Sequence, residues 1–407
     1  MREMKNSGIE WVGTIPSNWM VMPNKRIMHK QKVLCDKYNG EDILSLTMNG
    51  VIVRNLDAGG KVPATFDGYQ IVCPNNLLMC LFDYDVTPRC IGLIKNNGLT
   101  SPAYSQFVVD NGNIPSYYYY YYLMIDNTKE LLHLAKNLRH SFTEEQLGEI
   151  YVPVPPINEQ EKIANFLDEK IQEIDNAINK TKETIEDYKK LKQSIITKIV
   201  TEGLDDSFKC QKTRLKNVAI IVRGGSPRPI DRFLTDSNDG VNWIKIGDTV
   251  KGNKYIDKTS QKIIKEGVKN SRYLIAGDLI LTNSMSFGEP YILNINGCIH
   301  DGWVAFSQLK GIKKEYLYYF LISDFCKKQF DEQVAGGVVQ NLNVEKISKT
   351  IIYLPIMQEQ IRIVEYLDNK SNEIDKLIAA KEKIVEELES YKKSVIYEYV
   401  SGKKEVK

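Results

Sequence analysis

The stretch Pro155 to Val200, PPINEQEKIANFLDEKIQEIDNAINKTKETIEDYKKLKQSIITKIV, returns 200 positions later as PIMQEQIRIVEYLDNKSNEIDKLIAAKEKIVEELESYKKSVIYEYV, Pro355 to Val400. Aligned without a gap, the copies share Pro155/Pro355, Glu159/Glu359, Gln160/Gln360, Ile163/Ile363, Leu167/Leu367, Asp168/Asp368, Glu173/Glu373, Ile174/Ile374, Asp175/Asp375 and Ile178/Ile378. A repeat of this period is too long for a solenoid and has the size of a domain plus a connector.

Each copy reads as one long helix. Prolines 153, 155 and 156 block continuation from upstream, and Asn158 followed by Glu161 fits a capping box. A stripe of mostly apolar residues then alternates in steps of four and three: Leu167, Ile171, Ile174, Ile178, Thr181, Ile185, Tyr188 and, after Lys192, Ile195 and Ile199 in the first copy. Leu367, Ile374, Ile378, Val385, Leu388, Val395 and Tyr399 follow the same rule in the second. A heptad seam kept over about five repeats favours helix against helix over packing on a globular neighbour. The expected interface residues are Ile174, Ile178, Ile185, Ile374, Ile378 and Val385. Glu159, Gln160, Glu359 and Gln360, at the helix entrances, serve either the helix caps or subunit docking.

Connectivity makes the helices antiparallel, since the second must start at the second domain and run back. At about 1.5 Å per residue, some 43 residues make a rod of about 65 Å. The expected division is a globular domain over 1–154, a helix over 155–203, a second globular domain over 204–354 and a second helix over 355–407, a tandem duplication with a pseudo-twofold axis. The globular parts repeat weakly: Tyr104-Ser105-Gln106-Phe107 matches Phe306-Ser307-Gln308-Leu309, and Asn76-Leu77-Leu78 matches Asp278-Leu279-Ile280. Short β-rich runs at 69–81, 241–247 and 279–282, broken by Gly, Asn and Pro, make the fold class α+β. The run Tyr117 to Tyr122 reads as a core helix rather than a base-stacking platform, because Leu317, Phe320 and Leu321 stand 200 positions on.

A chain of 407 residues with 43% hydrophobic residues supports two cores. It has no membrane-length apolar run and no secretory h-region near Met1, which points to the cytoplasm and to no membrane partner. Seven scattered cysteines with no C-x-x-C suit a reducing compartment better than disulfides or zinc. The net charge of +2 conceals an asymmetry. Lys and Arg number 21 against 14 Asp and Glu over residues 212–350, but 14 against 15 over 1–154. A basic domain suits a phosphate-contacting surface. No Gly-x-x-x-x-Gly-Lys-Ser/Thr loop occurs, and the one Pro-Pro pair, at a helix entrance, follows Val154 rather than the Asn or Asp of an amino-methyltransferase motif.

The repeated Pro-x-x-x-Glu-Gln-x-x-Ile-x-x-x-Leu-Asp, at Pro155 to Asp168 and Pro355 to Asp368, resembles the signature of the conserved helices of type I restriction-modification specificity (S) subunits. Gly8 to Pro16 with Trp19 resembles the lead-in to their first target recognition domain. Arg223-Gly224-Gly225-Ser226-Pro227, followed by Trp243 to Asp248, resembles the opening of the second. The resemblance implies a subunit with no chemistry of its own, whose heads each read half of a split double-stranded DNA target; the pseudo-twofold arrangement puts the half-site centres about 10 bp apart, and heads of different sequence make the target asymmetric. It implies two methyltransferase (M) subunits docked on the helices and two restriction (R) subunits beyond them, with S-adenosylmethionine, ATP and Mg held by those partners. The alternative is a coiled-coil scaffold that binds no DNA and carries two protein-binding heads. For base and phosphate contact, side-chain chemistry nominates Arg223, Ser226, Arg228, Lys245, Asn283, Ser284 and His300 in the second head, with Lys251, Lys254 and Lys258 on phosphates. In the first head it nominates Arg54, Lys61, Arg89, Ser101 and Tyr104.

Overall fold

The computed structural model describes residues 2–58, 62–110, 112–135, 139–250, 252–284, 287–335 and 342–406. The chain forms two compact units, one of Met1–Thr181 with Lys383–Lys407 and one of Lys182–Glu382. Each therefore holds one head and a stretch of both long helices.

In the first unit the head is built on an antiparallel sheet ordered Met28–Gln31, Ser105–Val109, Leu77–Met79, Ile91–Leu93. The head helix Pro115–Thr128 packs on the last of these strands. Its tyrosines are interior: Tyr117, Tyr118 and Tyr121 are fully buried, and Tyr120 donates to Asp168 Oδ1 at 2.7 Å. The core-helix reading holds.

The second unit repeats the ladder as Ile220–Arg223, Trp303–Ser307, Leu279–Thr282, Pro290–Leu293, and adds Tyr255–Ile256 at the edge. A second five-stranded sheet, centred on Val241–Ile244, is joined in parallel to Gly297–Ile299. The head helix Lys314–Ile322 again packs on the fourth strand of the main ladder. Leu77 pairs with Phe107 and Leu93 as Leu279 pairs with Phe306 and Ile292, so Phe107 corresponds to Phe306 and Ser105–Val108 to Val304–Ser307. The sequence match of Tyr104–Phe107 with Phe306–Leu309 is thus not a structural one. It pairs the opening of one strand with the close of the other.

The head helices are also displaced by one residue from the uniform 200-residue offset. Gln160 Oε1 accepts from Ile114 N at 2.9 Å, and Gln360 Oε1 accepts from Lys313 N at 2.7 Å. These are the residues preceding each head helix, so Tyr117 corresponds to Tyr316 and Tyr120 to Tyr319. Tyr319 also donates to Asp368, as Tyr120 does to Asp168.

The long helices run Ile157–Glu202 and Met357–Val400. The first begins before Asn158, with Glu159 N and Gln160 N bonded to Pro156 O, so Asn158 lies inside the helix instead of capping it. Tertiary contacts do the fastening there. Both helices end where the chain turns left-handed at a glycine, Gly203 (φ 80) and Gly402 (φ 69).

Of the expected seam, Leu167, Ile171, Ile174, Ile178, Ile185 and Ile199 are buried, as are Leu367, Ile374, Val385 and Val395, while Tyr188, Ile195, Ile378, Leu388 and Tyr399 are half-buried. Within the first unit Phe166 meets Tyr399, ring centroids 4.4 Å apart, and Lys392 Nζ lies 2.6 Å from Asp175 Oδ1. Within the second, Lys192 Nζ lies 2.7 Å from Asp375 Oδ2, and Ile196 to Val200 share a core with Ile363 to Leu367. As the index rises on one helix it falls on the other: the pairing is antiparallel in both units. Among the described residues no helix is long and apolar enough to cross a membrane.

Candidate nucleic-acid interface

Six polar candidates of the second head, Arg223, Ser226, Arg228, Lys245, Asn283 and His300, converge on one place. After the strand Ile220–Arg223 the chain presses against the neighbouring turn, with Gly224 N bonded to Trp303 O and Gly225 N to Ile299 O. A Cβ at position 224 would stand 2.1 Å from His300 O, and one at 225 would stand 2.9 Å from Asn270 O. Only glycine admits so close an approach. The contact delivers Ser226 and Arg228 to the turn at Asp301.

Asp301 was not among the nominated residues, yet four of them meet it. Ser226 Oγ donates to Oδ1 at 2.7 Å and Arg228 Nη2 to Oδ2 at 3.1 Å. Arg223 Nε and Asn283 Nδ2 donate to its backbone carbonyl at 3.0 and 3.3 Å. The Ser226 hydroxyl, assisted by the Arg228 charge, holds the Asp301 carboxyl below the usual carboxylate range. The group is therefore an anion at neutral pH.

Beside it, His300 lies between Trp243 and Trp303, each ring centroid 6.2 Å away. Its Nδ1 faces Gly302 N at 2.6 Å and its Nε2 faces Ile246 N at 3.2 Å. Burial pushes the imidazole below its ordinary value. Arg228, Trp243, Lys245, Gln261 and His300 line an open cleft of about 660 Å³ with Asp301 on its wall. Lys245 and Ser284 are half-buried and Lys258 is exposed. Asn283 is buried, and its Oδ1 has no hydrogen-bond partner among the described residues. Lys61 and Lys251 lie outside the described residues.

Two expectations are corrected. Lys254 does not reach outward for phosphate: its Nζ donates to Asp368 Oδ1 at 2.7 Å over the rings of Tyr318 and Tyr319, with the side chain 16% exposed. It ties the head to the long helix within the second unit. Arg89 is likewise internal, bonded to Asp126 Oδ2 at 2.9 Å and to Asn127. Asp126 is 3% exposed at its side chain and needs both Arg89 and Lys129 to compensate its charge.

Among the described residues, the side chains of the other nominees of the first head form no cluster. Tyr104 stacks on Phe82 and packs into a hydrophobic core, Ser101 closes a turn, and Arg54 is half-buried. By ladder register, Pro102 stands where the second head has Asp301.

At the helix entrances the two glutamines are fully engaged inside their own units. Gln160 Nε2 donates to Asn113 Oδ1 and Pro155 O, and Gln360 Nε2 to Gly311 O and Pro355 O. Glu159 receives Arg2 and Trp19 Nε1, while Glu359 pairs with Arg362. Sequence reasoning missed the ion pairs Asp175–Lys392 and Lys192–Asp375. The signal was present, since all four residues recur at the 200-residue offset.

A family model described as the type I restriction modification DNA specificity domain matches residues 93–187 and 209–389. The type I restriction enzyme MjaVIII specificity subunit of Methanocaldococcus jannaschii is 27% identical over 284 residues, which cover 63% of this chain and 63% of that protein. Two solved structures share the fold. A chain from a type I R-M system, determined in work on complex assembly and conformational transition, superposes with a TM-score of 0.75 at 15% identity, covering 95% of this chain and 98% of that one. The HsdS subunit from Thermoanaerobacter tengcongensis superposes with a TM-score of 0.53 at 16% identity over the same shares of the two chains.

Proposed function

The chain belongs to the type I restriction-modification DNA specificity family, and from that premise we propose that it is the subunit that selects the DNA target of such a complex. Each head reads one half of a bipartite, asymmetric site. Two M subunits dock on the long helices and carry S-adenosylmethionine, and two R subunits with ATP and Mg complete an endonuclease. The chain itself is non-catalytic, and its division into recognition domains 1–154 and 204–354 with connecting helices 155–203 and 355–407 follows from the same reading.

The observation that carries this is the contrast between the heads. They share one ladder, yet in the more basic head Ser226, Arg228, Lys245 and His300 line a cleft with Asp301, whose carbonyl Arg223 holds, while the first has Pro102 at the position of Asp301. A kept scaffold with a changed polar face is what reading two different half-sites requires.

Sequencing methyladenine in genomic DNA, with the gene present and deleted, tests the proposal. A split, asymmetric motif methylated only when the gene is present is the expected result. A gel shift with the matched M subunit separates this reading from a scaffold, which would leave DNA unshifted. The purified chain alone should neither methylate DNA nor bind S-adenosylmethionine, and calorimetric binding of the donor would overturn the non-catalytic assignment.

A further inference from the structure

Asp301 is an anion on the polar face of a head in which Lys and Arg outnumber Asp and Glu by 21 to 14. Its side chain is 40% exposed and that of its partner Arg228 is 78% exposed. So exposed a pair contributes little to stability, and a carboxylate facing phosphates repels them. Its worth must lie in what it does to Arg228.

The surroundings make Asp301 a rigid post. Ser226 both donates to Oδ1 and accepts from Asp301 N at 3.3 Å, while Arg223, from the same segment, and Asn283, from another, hold the backbone carbonyl. Against that post Arg228 uses one of its five N–H donors, on Nη2. Whichever Nη2 hydrogen is engaged, the planar fork retains a parallel pair of N–H groups. That pair matches the O6 and N7 acceptors of guanine in the major groove. An arginine already held in its binding orientation loses less freedom on docking than a free one.

Resting on the DNA-specificity reading, we propose that Asp301 is the positioning residue for Arg228, and that Arg228 reads a guanine in the half-site of the second head. The carboxylate fixes which way the guanidinium fork points, and the arginine makes the base contact. The first head, with Pro102 at the equivalent ladder position, has no such device and reads its half-site by other means.

The test is methyladenine sequencing in strains whose chromosomal copy carries Asp301→Asn, Asp301→Glu, Arg228→Ala, Arg228→Lys or the double variant Asp301→Asn with Arg228→Ala. Asp301→Asn should lower the preference for guanine at one position of one half-site by roughly tenfold, and leave the other half-site unchanged as an internal control. Asp301→Glu, which keeps the carboxylate, should recover most of the preference. Arg228→Ala should relax the same position, with the double variant no worse than Arg228→Ala alone. Arg228→Lys, charged and exposed, folds as the parent does but lacks the fork, so it should relax that position too.

If Arg228→Ala relaxes a position and Asp301→Asn does not, the positioning role is wrong. Equal loss at every sequence, or relaxation at a base other than guanine, overturns the assignment as well. A motif unchanged in all variants shows that bases are read elsewhere. Absence of gene-dependent methylation with the unaltered chain is a different failure. It removes the specificity reading itself and the proposal with it.

Discussion

Lys254 shows how far a single residue can be read from its type. A lysine in a basic domain suggests phosphate, but here its ammonium sits against Asp368 over two tyrosine rings. Lys254→Met should therefore cost at or below about 1.5 kcal/mol, the low end for a charge-assisted hydrogen bond, because Asp368 stays 42% exposed and keeps its bond from Tyr319. Chemical denaturation measures that loss, and the salt dependence of DNA binding should not change. Exposed Lys258 is the contrast: if it contacts phosphate, Lys258→Ala reduces the slope of log affinity against log salt by about 1. His300 supplies a pH prediction. Burial lowers its pKa below the ordinary 6.5, so the folded state binds fewer protons than the unfolded one as pH drops past that value. Its contribution to stability is complete above pH 6.5 and is lost as pH falls through the folded pKa. His300→Gln should flatten this part of the stability profile below pH 6.5, and a parallel decline in both proteins would count against the assignment. Residue type was legible for Ser226 and Arg228, which do reach the cleft. Asp301 was not, because a search for cations and amides passes over the carboxylate that anchors them.

At the level of elements, legibility followed periodicity. The long helices announce themselves through a seven-residue pattern, and most seam positions are buried, including Leu167, Ile174, Ile185, Leu367 and Val395, with the rest half-buried. The heads have no such pattern. Their connections differ in length between the copies, so the uniform offset paired Tyr117 with Leu317 when its counterpart is Tyr316. The helix start was misplaced for a related reason: Asn158 and Glu161 satisfy a local rule, but the entrance is fastened by Gln160 and Glu159 through contacts with Asn113, Arg2 and Trp19, which no local window contains. The seam gives a graded prediction. Ile178 is buried and Ile378 half-buried, so Ile178→Asp places a charge where escape to water is harder and should cost several kcal/mol. Ile378→Asp should cost less, and the double variant should fail to assemble with M subunits. Thermal melting and gel filtration of the complex measure both effects. Equal, negligible shifts would mean that the stripe is not a desolvated interface.

For the whole molecule, the duplication implies interchangeable parts. In the first unit Tyr117 donates to Val400 O, and in the second Tyr316 donates to Val200 O. Each head thus closes on the C-terminal end of a long helix, and each closure is backed by an ion pair of the same kind, Asp175 with Lys392 or Asp375 with Lys192. A fragment of residues 1–209 carries one head, the acid Asp175, and a helix end in which Val200, Ile199 and Lys192 occupy the places of Val400, Tyr399 and Lys392. Alone it would leave the apolar stripe of its helix in water. Two copies can satisfy each other, since each offers the head and the helix end the other lacks, and the closed pair would be an isologous dimer. Analytical ultracentrifugation should show that dimer. Lys192→Glu, which sets a carboxylate against Asp175, should weaken it, while the charge swap Lys192→Asp with Asp175→Lys should restore it. Any site read by the fragment would then be symmetric, because both heads are the same, whereas the full chain carries two different heads. A fragment that stays monomeric with its head folded would show that the two helix ends are not interchangeable.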